Sequence, residues 1–271
     1  MNRGVLEGIR VVDSSTAWAG PFASELLALM GAEVIKVESM KRLDHSRVIS
    51  LSTRQRFTGT DQSSVFNDLN FNKLDVKINL SMPKGAELFK RLIKTSDVVI
   101  QNFRPGVMDR LGLGYETLKE VKANIIYLSS SARGSEGPER SYVGYAPSFA
   151  AHGGLSYLTG YADGLPAMMM GEIDLISATT SAFAVVAALN HRQRTGEGQY
   201  ITVSSSETIA VLIGDVLLDY TMNGRVQFRD GNRDEIMAPH NCYRCKGDDK
   251  WISIAISNDE EWRVFVGAIG N

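Results

Sequence analysis

The chain has 271 residues, of which 44% are hydrophobic and 22% charged, so collagen-like, disordered and low-complexity classes are excluded. Twenty-nine Lys and Arg residues against 31 Asp and Glu residues give a net charge of −2, so no overall basic field attracts nucleic acid or an anionic membrane. Two cysteines are too few for a disulfide scaffold and no apolar leader precedes the first strand pattern, so we expect a cytosolic (cytoplasmic) protein.

The first third of the chain alternates short β-branched runs with amphipathic stretches, a pattern typical of a parallel sheet with crossover helices. Residues 9–13 and 34–37 are predicted strands. Pro21 lies in the first turn of the helix between them, and Gly31 ends that helix. These elements predict a βαβ unit at the start of a Rossmann-like α/β domain.

The next segment, residues 38–71, is polar and long for a connection inside an α/β unit. Such loops usually belong to a site or are mobile, and basic side chains in this one include Arg42, His45, Arg47, Arg54 and Arg56. Pro83 then begins a predicted helix, and residues 98–100 form a strand that leads into the turn at 102–106. A further helix at 115–121 and a strand at 125–128 follow.

Residues 133–171 are rich in glycine and aromatic residues and are predicted to be loops and short helices over the carboxyl edge of the sheet, where open α/β sheets bind ligands. A long helix is predicted from 174 to 194, ended by Gly196 and Gly198, and its uncharged stretch is shorter than the ~20 residues of a membrane span. A strand at 200–203 and a helix at 207–220 follow.

Beyond residue 224 the pattern changes to a hairpin at 241–245 and 251–255 and a helix at 260–266. We therefore place a domain boundary near Arg225. Residues 1–224 are predicted to form a Rossmann-like domain, an open parallel sheet with crossover helices, and residues 225–271 the start of a smaller α+β domain.

The common nucleotide and hydrolase motifs are missing from this chain. The turn at residues 14–20 lacks G-x-G-x-x-G, and no phosphate loop, G-x-S-x-G elbow or H-E-x-x-H occurs. Cys242 and Cys245 form one C-x-x-C in a predicted strand, and we interpret them as reduced structural residues, because a structural zinc site needs four ligands. No metal site is predicted.

Asp174 is the most informative acid, because it stands before fifteen residues without a formal charge, at the mouth of a helix that must be buried. The helix dipole stabilises a carboxylate there and lowers its pKa, against the effect of desolvation. We expect the side chain to be ionised near neutral pH, as a nucleophilic carboxylate requires. A helix N-cap is the alternative role.

Three further side chains are candidates with a structural alternative. Arg104 and Arg110 flank the turn after a predicted strand and could hold phosphate oxygens, or could be solvated surface residues. His152, beside Gly153 and Gly154, could be a general base or a hydrogen-bonded structural residue.

Four segments in this order resemble the class III CoA-transferases of the CaiB/BaiF, formyl-CoA transferase-like type. They are residues 8–13 (GIRVVD), 19–38 (AGP through MGAEVIKVE), 102–112 (NFRPG through LG) and 195–199 (TGEGQ). In this family the catalytic aspartate begins the long helix that leads to the T-G-x-G-Q turn. The residue at that position is Asp174.

The resemblance implies transfer of CoA from an acyl-CoA to a free carboxylic acid without a tightly bound cofactor, with CoA itself as substrate. Asp174 would form an aspartyl anhydride, then an aspartyl-CoA thioester, then a second anhydride that CoA resolves. It also implies that Arg104 and Arg110 hold the CoA phosphates, with Asn102 and Phe103 beside the nucleotide and Ile78 near the adenine. Ala17 and Trp18 would face the pantetheine and thioester, and Gly153 and Gly154 are weaker candidates for oxyanion support.

Two alternatives accompany this interpretation. The α-methylacyl-CoA racemases of the same superfamily use a histidine after a glycine, but Gly144-Tyr145 stands at that position, and tyrosine is a poor base near pH 7. Members of the family are longer and form interlocked homodimers, so we expect a fragment or a shortened subunit. In the second case the chain would be a non-catalytic CoA-binding subunit of a heteromer with a related chain.

Overall fold

A computed structural model of the chain describes residues 4–48 and 59–270. Arg54 and Arg56 of the polar segment lie outside these residues. The chain divides into two compact units: Met1–Gly153 with Met169–Gly214, and Gly154–Met168 with Asp215–Asn271. The boundary near Arg225 stays a prediction about the domains of the whole protein.

A six-stranded parallel sheet forms the centre of the first unit, with the strand order β3-β2-β1-β4-β5-β6. Its strands are β1 (Arg10–Asp13), β2 (Glu33–Glu38), β3 (Lys73–Lys77), β4 (Val98–Gln101), β5 (Ile126–Ser131) and β6 (Tyr200–Ser204). The order reverses between β1 and β4, which pair through Val11 and Val98. The predicted Rossmann-like α/β fold is confirmed.

Helices cover both faces of this sheet, which explains why its central strands are hydrophobic on both sides. The helices of the first unit are α1 (Ala19–Leu29), α2 (Ser64–Asp68), α3 (Pro83–Ile93), α4 (Val107–Arg110), α5 (Tyr115–Val121), α6 (Ala146–His152), α8 (Gly171–Thr195) and α9 (Ser205–Leu212). One core cluster joins Leu27 of α1 and Val185 of α8 to the sheet. The other joins Phe89 of α3 and Leu118 of α5 to the opposite face.

Helix α8 is a core helix of the first unit. By length and composition it could cross a membrane, and it is the one such helix among the described residues. Its buried side chains, such as Ala182 and Val185, pack with α1 and the sheet in one core cluster.

The second unit contains an antiparallel hairpin and three helices, as the described residues show. They are α7 (Leu155–Leu158), α10 (Gly214–Asn223), β7 (His240–Arg244), β8 (Trp251–Ala255) and α11 (Asp259–Ile269). The hairpin and the last helix were predicted from the sequence. Cys242 and Cys245 are both exposed free thiols, and no cluster of potential metal ligands occurs among the described residues.

The structure differs from the sequence-based expectation at several elements, among them β3, α8 and the helix expected at 207–220. Strand β3 was not predicted, because it is a polar edge strand in which Lys, Leu, Asp, Val and Lys alternate. Helix α8 begins at Gly171, three residues before Asp174. The single helix expected at 207–220 is two helices, since Ile213 leaves the helical conformation before Gly214, a poor helix former.

Candidate active site

The turns after β1 and β4 meet at the point where the strand order reverses, and this is where open α/β sheets bind ligands. Asn102, after β4, joins them: its Oδ1 accepts the Thr16 N–H at 2.8 Å and its Nδ2 donates to the Thr16 carbonyl at 2.7 Å. The amide of Asn102 therefore shapes the β1–α1 turn. Its assignment as a direct CoA contact stays a prediction.

Trp18, the residue before α1, packs against the first residue of α8, the helix that carries Asp174. A Cβ on Gly171, the first residue of α8, would lie 2.6 Å from Cζ3 of the Trp18 ring. The indole therefore packs directly on the glycine backbone, one helical turn before Asp174. The structure thus brings Trp18, and Ala17 before it, to the helix end that carries the proposed nucleophile.

Asp174 is half-buried and has no hydrogen bond or ion pair within the described residues. Burial raises the pKa of its carboxyl from 3.8 to about 6. Desolvation, which the sequence set against the helix dipole without a net direction, is therefore the larger effect. At pH 7 the side chain is still mostly ionised, which a carboxylate nucleophile needs.

The N-cap alternative for Asp174 is also wrong, because the N-cap of α8 is Met170. The acid that satisfies the helix end is Glu172, whose carboxylate accepts the Met170 N–H at 2.9 Å. Its own backbone N–H and this contact lower the pKa of Glu172. Two acids in one helical turn thus have opposite environments: Glu172 is exposed and paired, and Asp174 is half-buried and free within the described part of the chain.

Beneath the turn lies a cluster of buried charges, formed by Asp13, Lys36, Asp44 and Lys73, that sequence reasoning missed. Lys36 Nζ is 2.9 Å from Asp44 Oδ2, and Lys73 Nζ is 3.1 Å from Asp13 Oδ2. Burial alone would raise the pKa of Asp13, but the two ammonium groups hold it well below its usual range. Burial lowers the pKa of Lys73 to about 8. A lysine inside the run Val34-Ile35-Lys36-Val37 was the one signal for this cluster.

The two candidate phosphate ligands, Arg104 and Arg110, are exposed, and neither makes an ion pair or side-chain hydrogen bond to the described residues. Arg104 lines a cleft of about 330 Å³, beside Gln101 and Ser129 from the ends of β4 and β5. Arg110 lies on the same turn, where its Nη1 would be 3.2 Å from a Cβ on Gly106. Both guanidinium groups are thus available to an anion.

The remaining sequence candidates have packing or surface roles in the structure. Phe103 and Ile78 are half-buried and pack against the core on the α3 and α5 side. His152 Nε2 is 2.9 Å from the Glu139 carboxylate at the surface. Gly153 packs closely, since a Cβ there would lie 2.6 Å from Cβ of Ile209.

Comparison with known proteins relates this chain to one protein family. A family model described as "CoA-transferase family III" matches residues 6–271. Succinyl-CoA--L-malate CoA-transferase beta subunit from Chloroflexus aurantiacus is 35% identical over 98% of this chain and 65% of its own length. An acyl-CoA transferase from Fusarium pseudograminearum is 34% identical over 99% of this chain and 59% of its own length. The chain thus spans about three fifths of the length of these curated relatives.

Solved structures show the same fold. A CAIB/BAIF family protein from Brucella suis matches with a TM-score of 0.89 at 30% identity, over 99% of this chain and 70% of the other. A protein from Mycobacterium tuberculosis matches with a TM-score of 0.83 at 29% identity, over 100% of this chain and 70% of the other. The fold of nearly the whole chain is therefore shared with CaiB/BaiF proteins.

Proposed function

The chain belongs to CoA-transferase family III, and from that premise we propose that it moves CoA from an acyl-CoA donor to a free carboxylic acid with Asp174 as nucleophile. One observation carries the proposal: Asp174 is a half-buried, unpaired carboxylate, within the described residues, on the turn of α8 that Trp18 covers. A carboxylate that lacks hydrogen-bond donors keeps its lone pairs free for attack on a carbonyl.

The reaction needs no group beyond the carboxylate and the two substrates. Asp174 attacks the donor thioester carbonyl, the C–S bond breaks, and an aspartyl anhydride and a CoA thiolate result. The thiolate attacks the aspartyl carbonyl, which releases the donor acid and leaves an aspartyl-CoA thioester. The acceptor carboxylate attacks the same carbonyl and releases the thiolate, which then attacks the acceptor acyl group and frees Asp174. Each step exchanges acyl derivatives of similar energy, so water must be kept out.

We assign CoA binding to the first unit. The exposed Arg104 and Arg110 are free to pair with phosphate oxygens, and charge-assisted contacts of this kind are strong. Asn102 and Phe103 follow β4, beside the reversal point, and Ile78 follows β3 at the same edge of the parallel sheet, as a nucleotide along this edge requires. We assign Ala17 and Trp18 to the path that leads to Asp174, because the Trp18 ring packs on Gly171 at the start of α8.

The substrates proposed are small carboxylic acids, dicarboxylic acids above all. The relatives include an acetyl-CoA:oxalate CoA-transferase from Acetobacter aceti and a succinate--glutarate CoA-transferase from Agrobacterium fabrum. We propose that the reaction takes place in the cytosol, in line with the low cysteine content, without nucleic acid or a membrane as partner.

A second candidate function is supported by the relatives that are named alpha and beta subunits of one CoA-transferase from Chloroflexus aurantiacus. In that case the chain binds CoA within a heteromer and needs a related chain for exchange, in place of a homodimer. Purified chain that exchanges CoA alone would exclude this candidate. The racemase alternative is tested by deuterium incorporation at the α-carbon of a 2-methylacyl-CoA, which a transferase does not require.

The deciding experiment is to trap the aspartyl intermediates. The chain is incubated with succinyl-CoA and a panel of carboxylates, hydroxylamine or borohydride is added during turnover, and peptides are mapped by mass spectrometry. We expect modification of Asp174 and none in the Asp174→Ala protein. Glu172→Gln, in the same helical turn, is the matched control and should keep the modification. Full exchange activity in Asp174→Ala would refute the mechanism.

A further inference from the structure

The turn between β1 and α1 is held through its own backbone. Lys36 Nζ donates to the Ser15 carbonyl at 2.9 Å, and the Ala17 N–H donates to Asp44 Oδ1 at 2.9 Å. Asn102 contacts both the backbone N–H and the carbonyl of Thr16. Side chains from three separate segments thus hold three consecutive residues of one turn. The turn therefore has little freedom of its own.

Ala17 has φ +68°, in the left-handed region that residues with a side chain rarely adopt. Such a conformation persists only where the surroundings hold it in place, and it is found most often at functional sites. The hydrogen bond from Ala17 to Asp44 is the contact that the structure gives for this purpose.

Asp44 is itself buried and held by several contacts. Its Oδ2 is 2.9 Å from the equally buried Lys36 Nζ, and its Oδ1 also accepts the N–H and hydroxyl of Ser46. Its own N–H donates to Glu38 Oε1 at 3.1 Å. Lys36 and Glu38 are two residues apart in β2, so their side chains lie on the same face of the strand, and both contact Asp44.

The residue after Ala17 is Trp18, whose ring packs on Gly171 at the start of the helix that carries Asp174. We propose that Asp44, held by Lys36, is a positioning residue for the reaction of Asp174: it keeps Ala17 left-handed and thereby fixes the Trp18 ring beside the nucleophile. This inference rests on the proposed function for its catalytic consequence. Asp44 acts through the turn and touches neither substrate.

The expected kinetic signature follows from this role. An attacking carboxylate depends strongly on the shape of its immediate surroundings, and a misplacement of about 1 Å costs on the order of 100-fold in rate. Loss of the Asp44 contact should therefore lower kcat by roughly 10- to 100-fold, while KM for acyl-CoA changes less than about 3-fold. A merely structural role would lower the amount of folded protein and leave kcat per folded molecule unchanged.

Two variants test the position from opposite sides. Asp44→Ala removes the acceptor, and Ala17→Val leaves the buried charges intact but disfavours a positive φ at residue 17. Asp44→Ala and Ala17→Val should show the same loss of kcat. Ala17→Val keeps the test valid if Asp44→Ala folds poorly. Ala17→Gly accepts a positive φ without strain, so the double variant with Asp44→Ala should recover most of the kcat that Asp44→Ala alone loses. If Asp44→Ala lowers kcat equally in the parent protein and in the Ala17→Gly protein, the proposal is overturned.

A spectroscopic readout separates this inference from the proposed function. Trp251→Phe and Trp262→Phe leave Trp18 as the one tryptophan. The fluorescence emission maximum of Trp18 should move to longer wavelength in Asp44→Ala. It should return to the parent wavelength in the double variant Asp44→Ala with Ala17→Gly. Unchanged Trp18 emission in Asp44→Ala would overturn the positioning role, whether or not the protein exchanges CoA. A lack of exchange and of Asp174 trapping in the parent protein would instead refute the proposed function.

Discussion

Substitution of Asp174 by asparagine should stabilise the protein near neutral pH while it removes the proposed activity. The folded protein raises the pKa of this carboxyl from 3.8 to about 6 by burial. Between these values the folded chain holds a proton that the unfolded chain has lost, so stability falls as pH rises and stays reduced above about pH 6. The amide of the Asp174→Asn protein would carry no charge to desolvate.

The size of the stabilisation expected for Asp174→Asn follows from the rise in the pKa of Asp174. A difference of roughly two pKa units corresponds to about 3 kcal/mol at about 1.36 kcal/mol per unit. The helix dipole, which favours the charge at this end, offsets roughly 0.3–1 kcal/mol, which leaves about 2 kcal/mol for Asp174→Asn. For a chain of this size each kcal/mol moves the melting temperature by roughly 2–4 °C, so we expect an increase of roughly 4–8 °C.

Thermal unfolding of the parent and Asp174→Asn proteins at about pH 7.5 and about pH 4 measures this effect, which should shrink at the lower pH. Glu172→Gln is the matched control on the same turn: it removes a carboxylate that caps the helix, so it should lower the melting temperature at about pH 7.5. A melting temperature of Asp174→Asn equal to or below that of the parent at about pH 7.5 would refute the reasoning.

Three further predictions concern activity and binding. In a pH series, kcat/KM for CoA exchange should fall as pH drops through about 6, whereas a midpoint near 4 would contradict the raised pKa of Asp174. Gly171→Ala should lower exchange, although alanine favours helices, because its Cβ collides with the Trp18 ring; unchanged steady-state rates would contradict that contact. Arg104→Ala and Arg110→Ala should each weaken CoA binding in calorimetry by roughly 10-fold at an unchanged melting temperature, and unaltered affinity for both would remove them from the phosphate site.

Much of the first unit could be predicted because its signals are local. The strand at 98–100 is a run of buried β-branched residues, the helix at 115–121 has regular spacing, and both occur where expected. The position of Asp174 near the start of a long buried helix was also readable from fifteen uncharged residues. Periodicity reports these features because each one depends on residues close in the chain.

The features that were missed depend on distant residues. Nothing local shows that Lys36 meets Asp44, or that Lys73, sixty residues after Asp13, pairs with it under the same turn. The raised pKa of Asp174 has the same origin, because desolvation is a property of packed neighbours and the helix dipole is a property of the helix alone. Sequence reasoning therefore singled out the candidate nucleophile but left the balance between the helix dipole and desolvation open.

Helix α8 carries Asp174 in its first turn and packs against α1 and the sheet through buried side chains such as Ala182 and Val185. An anchored carboxyl group of this kind occupies nearly one place in space while it is a free acid, an anhydride and a thioester in the proposed reaction. The substrates must therefore move instead. The flexible pantetheine arm brings its thiol to the carboxyl group and withdraws it, and the donor and acceptor acids bind next to the same carboxyl group one after the other.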